Sequence, residues 1–104
     1  MADTVKIAKA LSDPIRYKIM IMLAQRDMGC CPIPGEKDLR PGLCNCELMS
    51  ELGLIQSRVS YHMKELSEAG LVTEEHRGKW KVYFINTNTL REFTEQITRD
   101  FALK

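Results

Sequence analysis

At 104 residues the chain is sized for a single domain, 1–104, with a real but modest core. Its 44% hydrophobic and 28% charged residues are those of a soluble globular protein, and no apolar run is long enough to span a bilayer, so no membrane partner is expected. A net charge of +1 makes no general case for nucleic-acid binding, although a local basic patch is enough for it.

The N-terminus, Met-Ala-Asp-Thr-Val-Lys, lacks the charged-then-apolar layout of a secretory signal. The expected location is therefore cytoplasmic, where thiols stay reduced unless a metal or a redox role engages them. Residues 4–11 read as a short amphipathic helix with Val5, Ile7, Ala8 and Leu11 apolar. Asp13-Pro14 then gives a helix start, an N-cap carboxylate followed by proline at the first helical position. Ile15, Ile19, Met22 and Leu23 follow the helical period, which predicts a core-facing helix from Pro14 to about Gln25.

All four cysteines fall in residues 28–46, as the adjacent pair Cys30 and Cys31 and the Cys-x-Cys of Cys44 and Cys46. Residues 27–42 between the helices are rich in proline and glycine, and an aperiodic stretch of that length in so small a domain is usually functional or disordered. Two tight thiol pairs joined by such a loop predict a thiolate site for a soft ion.

Leu48 and Leu52 share a face, so a short helix is expected from roughly Cys46 to Leu52, stopped by Gly53. A second begins within three or four residues and runs to Ala69, with Val59, Met63 and Leu66 on one side. Gly70 and Leu71 supply its left-handed cap and the apolar residue after it. Two helices joined by a tight glycine turn are the outline of a helix-turn-helix. Beyond Leu71 the period becomes two, with strands at residues 72–75 and 80–85 and a turn through His76, Arg77, Gly78 and Lys79. Asn86 or Thr87 caps a last helix whose apolar residues are Leu90, Phe93, Ile97 and Phe101, a pattern suited to dimer packing or core closure.

With Val59, Met63 and Leu66 turned inward, the outward arc of the second helix carries Ser57, Arg58, Ser60, Tyr61 and Lys64, groups suited to base edges and phosphates. The hairpin adds Arg77, Lys79 and Lys81 with no acid among residues 76–81, a phosphate or minor-groove contact. The expected fold is mainly α with a β-hairpin wing, a winged helix-turn-helix. No Cys-x-x-Cys beside a βαβ unit, phosphate cradle or His/carboxylate pair near the thiols supports an enzyme or a protein substrate.

The run Leu-Gly-Leu-Ile-Gln-Ser-Arg-Val-Ser-Tyr-His-Met-Lys-Glu-Leu-Ser-Glu-Ala-Gly-Leu-Val (52–72), then Arg77-Gly78 and Tyr83, resembles the ArsR/SmtB family of winged-helix repressors. The opening Leu-Ser-Asp-Pro-Ile-Arg (11–16) resembles that family's start, so the likeness covers nearly the whole chain. The resemblance implies a homodimer built on the first and last helices and bound to double-stranded operator DNA with an inverted repeat. It also implies that Gln56, Ser57, Ser60, Tyr61 and His62 sit in the recognition helix. Many relatives carry serine or threonine where Ile55 stands; isoleucine cannot cap a helix, so Ser57 is the alternative cap.

Leu-Cys-Asn-Cys-Glu-Leu (43–48) resembles the Glu-Leu-Cys-Val-Cys-Asp-Leu box of arsenite- and cadmium/lead-sensing members, with Gly42 and Asn45 as mild departures. Met49 is a larger one, standing where the arsenic repressor best known for this box has a third cysteine. A third thiolate would then come from Cys30 or Cys31. Thiolate ligation excludes Mg and Ca and favours Zn, Cd, Pb, Cu(I) or trivalent arsenic and antimony. As(III) or Sb(III), which take three thiolates, is the favoured inducer, with Cd(II), Pb(II) or Zn(II) through all four cysteines as the alternative. Residues 87–104 contain no histidine or cysteine, so the family's last-helix zinc site is not expected. His62 and His76 are read as fold or phosphate residues. On a regular helix residues two apart point roughly 200° from each other, so Cys44 and Cys46 can share one ion only if binding unwinds or bends the start of that helix. Ion binding would then misplace the recognition helix and release DNA. A disulfide between Cys44 and Cys46, or from Cys30 to either, is the redox alternative.

Overall fold

The computed structural model describes residues 3–25, 42–77 and 80–103. Along them run α1 (Thr4–Leu11), α2 (Pro14–Ala24), β1 (Leu43–Cys44), α3 (Asn45–Leu52), α4 (Gln56–Glu68), β2 (Val72–Arg77), β3 (Trp80–Ile85) and α5 (Thr87–Asp100). Cys30 and Cys31 lie outside the described residues, as do Gly78 and Lys79 between β2 and β3 in the sequence.

Local chemistry sets most of these limits. Asp13 accepts hydrogen bonds from the backbone N–H groups of Ile15 at 2.8 Å and Arg16 at 3.2 Å, with Pro14 in the first turn of α2. Asn86 caps α5 by accepting from Thr89 N–H at 3.3 Å. After α4, Gly70 takes φ 79° while Leu71 N–H reaches back to the Leu66 carbonyl and Gly70 N–H to that of Ser67, the Schellman closure. Ile55, with extended backbone, is the N-cap of α4 and makes no side-chain hydrogen bond there. Ser57 lies inside the helix rather than capping it, and the missing cap costs about 1 kcal/mol.

The sheet is antiparallel in the order β1-β3-β2, so the hairpin carries a third strand that the periodicity did not predict. Leu43 pairs with Tyr83 and Cys44 with Val82. Because strand side chains alternate faces, the sheet divides the interior in two. On one face Leu43 and Tyr83 join Ile7, Ile19, Leu23, Leu48, Val59, Met63, Leu66 and Leu71 in the main core. On the other, Cys44 sits with Val82 and Phe84 in a small second cluster, with Cys46 packed against it. Gly42 opens this strand for want of space. A Cβ there would lie 2.7 Å from Phe84 Cε1 and 2.9 Å from the Tyr83 carbonyl oxygen.

α5 has no buried residue; Leu90 and Phe93 only partly pack on the core. No helix among the described residues is long and apolar enough to cross a membrane.

Candidate functional site

The outward side of α4 has the predicted composition. Gln56, Ser57, Arg58, Ser60, Tyr61 and Lys64 are all exposed, while Val59, Met63 and Leu66 are buried. Lys64 lies 4.0 Å from Glu68 one turn on, an exposed pair of small energetic weight.

His62 takes the fold role of the two expected for it. It is only 3% exposed and faces inward, so its side chain has no path to a base or a phosphate. Its Nδ1 lies 3.3 Å from an Arg16 guanidinium nitrogen, and since arginine only donates, Nδ1 is the acceptor. Arg16 also donates through Nε to the Ala10 carbonyl at 2.8 Å. One arginine thus ties α1, α2 and α4 together, and His62 sits behind the exposed arc of α4. Burial lowers the His62 pKa below its ordinary value, with the Arg16 and Arg58 charges assisting and Asp13 and Glu65 opposing. Burial raises the Asp13 carboxyl, but its two backbone hydrogen bonds and the Arg16 charge outweigh that and hold it below the usual carboxylate value.

In the hairpin, Arg77 ends β2 and Lys79 lies outside the described residues. Lys81 is paired within the sheet: its ammonium lies 3.3 Å from a Glu74 carboxylate oxygen, diagonally across the strand pair. The acid was missed because it sits just outside residues 76–81. Tyr83, buried and beside Glu74, has its hydroxyl pushed up to about 12, chiefly by burial.

The thiol pair differs from the expected geometry. Cys44 is not helical; it ends β1 with φ −83° and ψ 160° and forms the N-cap of α3. Only Cys46 is in the helix. The strand-to-helix bend brings the two side chains to the same side, with Cα atoms 5.4 Å apart and the sulfurs joined as a disulfide. No unwinding of α3 is needed for these sulfurs to meet, because the chain turns between them. Cys44 is 2% exposed, and its Sγ lies 3.7 Å from Oε1 of the buried Glu47. Glu47 was not singled out from sequence; an acid in the first turn of a helix is ordinary, and only burial marks it. Among the described residues no group of three His, Cys, Asp or Glu side chains is placed to hold a metal ion, and Cys30 and Cys31 lie outside those residues.

Comparison with known proteins follows the same division. The family model described as bacterial regulatory protein, arsR family, matches residues 37–74, spanning β1, α3, α4 and the start of the hairpin. The arsenical resistance operon repressor of Staphylococcus xylosus is 33% identical over 97 residues, 93% of this chain and 75% of that protein. The chain belongs to the ArsR family.

Another member, the arsenical resistance operon repressor of Bacillus subtilis, is 36% identical over 78 residues, which are 75% of this chain but 61% of that protein's length. A homodimeric winged helix-turn-helix DNA-binding domain from Mycobacterium bovis shares the ArsR fold with TM-score 0.66 at 21% identity, covering 97% of this chain and 82% of that one. The relatives are DNA-binding transcriptional regulators and not enzymes. Within the ArsR frame, Gly42 gains a physical reason. A glutamate at this place, as in the box it resembles, would collide with Phe84.

Proposed function

We propose that this chain is a homodimeric repressor that grips an inverted-repeat operator with α4 and the hairpin and lets go when As(III) or Sb(III) binds its cysteine thiolates. The observation that carries the reading is the meeting of Cys44 and Cys46 at the junction of β1 and α3. β1 is hydrogen-bonded to β3 of the hairpin and α3 packs on α4, so the junction touches both parts that would face DNA. Reduced, the pair offers two thiolates, and Cys30 or Cys31 would supply the third. Drawing that third thiolate onto the junction loads β1 and α3 together and shifts α4 against the hairpin. The ion acts as a switch because it binds the shifted arrangement more tightly than the DNA-bound one. Cd(II), Pb(II) or Zn(II) would use all four cysteines.

The test is release of a fluorescent duplex, first enriched from a random pool, as followed by anisotropy under a non-thiol reductant. Wild type should release it with arsenite or antimonite, while Cys44→Ser and Cys46→Ser bind the duplex but hold it. Release by either variant at wild-type inducer levels would reject the assignment.

The disulfide supports a second reading, a repressor that senses oxidation. A hydroperoxide would take two electrons from the two thiols; the S–S bond forms, the O–O bond breaks, and both protons leave on the oxygens. Release by peroxide but not by arsenite or cadmium selects this version.

A further inference from the structure

Ile55 is the least expected side chain on the DNA-facing side. It is 67% exposed at the N-cap of α4, a position where isoleucine forgoes the hydrogen bond that serine or threonine would make. Its neighbour Leu54 packs on the main core, so the apolar contact that fixes this turn is already made without Ile55. Two unfavourable features therefore coincide at one residue, and such local rule-breaking gathers at functional positions.

In a helix-turn-helix the second helix enters the major groove with its N-terminal residues against base edges. Ile55 stands next to Gln56, Ser57 and Arg58, all exposed. The polar three can serve hydrogen-bonding edges or phosphates, but a branched aliphatic side chain cannot. The major groove offers one apolar feature, the C5 methyl of thymine. We propose that Ile55 reads a thymine methyl group in each operator half-site, which makes it a specificity-determining residue. This rests on the assignment of α4 as the DNA-reading helix.

The experiment replaces thymine by uracil, removing only the methyl, one position at a time in a duplex enriched from a random pool by the wild-type protein. At one thymine of each half-site, uracil should weaken wild-type binding about fourfold, the factor for failing to bury one methyl-sized group. Ile55→Ser, which also restores a capping side chain and so keeps the helix, should show no penalty there. Ile55→Val should retain most of it. The inference is overturned if wild type tolerates uracil at every position or if Ile55→Ser keeps the full penalty. It is equally overturned if the penalty survives in Ile55→Ser but vanishes in Tyr61→Ala, which would give the methyl to Tyr61. A pool that yields no enriched duplex refutes the DNA-reading assignment itself, and this inference with it.

Discussion

His62 shows how one side chain can matter to α4 from its buried side. Its Nδ1 takes a hydrogen bond from Arg16 while Nε2 is buried with no partner among the described residues. A proton added to Nδ1 would break the first bond and set two positive charges side by side. The unfolded histidine titrates near 6.5 and the folded one below it. Between those values the unfolded chain holds the proton and the folded chain does not, so stability is full above about 6.5 and declines as pH falls through it. Asp13 acts in a separate window: its folded carboxyl lies below 3.8, so its contribution is present above that value and is lost only under stronger acid. Melting followed by circular dichroism should show Tm falling from pH 7.5 to pH 5 in wild type. His62→Gln keeps an acceptor for Arg16 but cannot be protonated, and its Tm should change less over that range. An equally steep fall in the variant would assign the loss to another group. The sequence placed His62 in the second helix of the helix-turn-helix, where α4 carries it. Its burial was hidden because facing depends on helix phase and on Arg16, a residue 46 positions away.

The elements best read from sequence are those whose limits are set locally. Asp13-Pro14, Gly53, Gly70 and Asn86 each punctuate the chain with their own side chain or backbone freedom, and the helices they bound were predicted to within a residue or two. β1 was not legible, because two residues carry no period and its partner strand lies far along the chain. With β1 unseen, the bend that the cysteine pair needs was expected to come from ion binding, whereas the β1–α3 junction already supplies it. Gly42 tests the strand directly. Glycine is needed there because the Tyr83 carbonyl, a backbone atom, cannot move aside for a methyl group without loosening the β1–β3 pairing. Gly42→Ala should cost about 1–3 kcal/mol, the usual penalty of overpacking, measured by urea titration of the reduced protein. Phe84→Leu in the same chain should recover only part of it, since the ring is one obstacle and the carbonyl the other. Unchanged stability in Gly42→Ala would mean that β1 is not held as described.

At the scale of the whole molecule, three of the exposed apolar side chains lie toward the two ends of the chain, with others at Tyr17, Ile21, Ile55 and Tyr61. Val5 on α1 is 77% exposed, Phe101 just past α5 69% and Leu103 56%, and α5 buries none of its residues even though Leu90, Phe93 and Ile97 follow one face. α1 and α5 pack on each other, so the two helices form one continuous region of the surface. A second copy of this chain using the same region twice would give the two-fold arrangement that an inverted repeat requires. The prediction separates folding from assembly. Val5→Glu and Phe101→Glu place charges where the single chain already exposes the side chain, so each should change monomer stability by less than about 0.5 kcal/mol. In a two-fold interface the same charges meet their own copies across the axis or enter an apolar contact, and either is costly. Sedimentation velocity should find wild type as a dimer at micromolar concentration and the double variant as a monomer with an unchanged circular dichroism spectrum. Binding of the double variant to a two-half-site duplex should fall at least tenfold, while its affinity for a single half-site stays near that of one wild-type protomer. A double variant that still sediments as a dimer would place the interface elsewhere on the molecule.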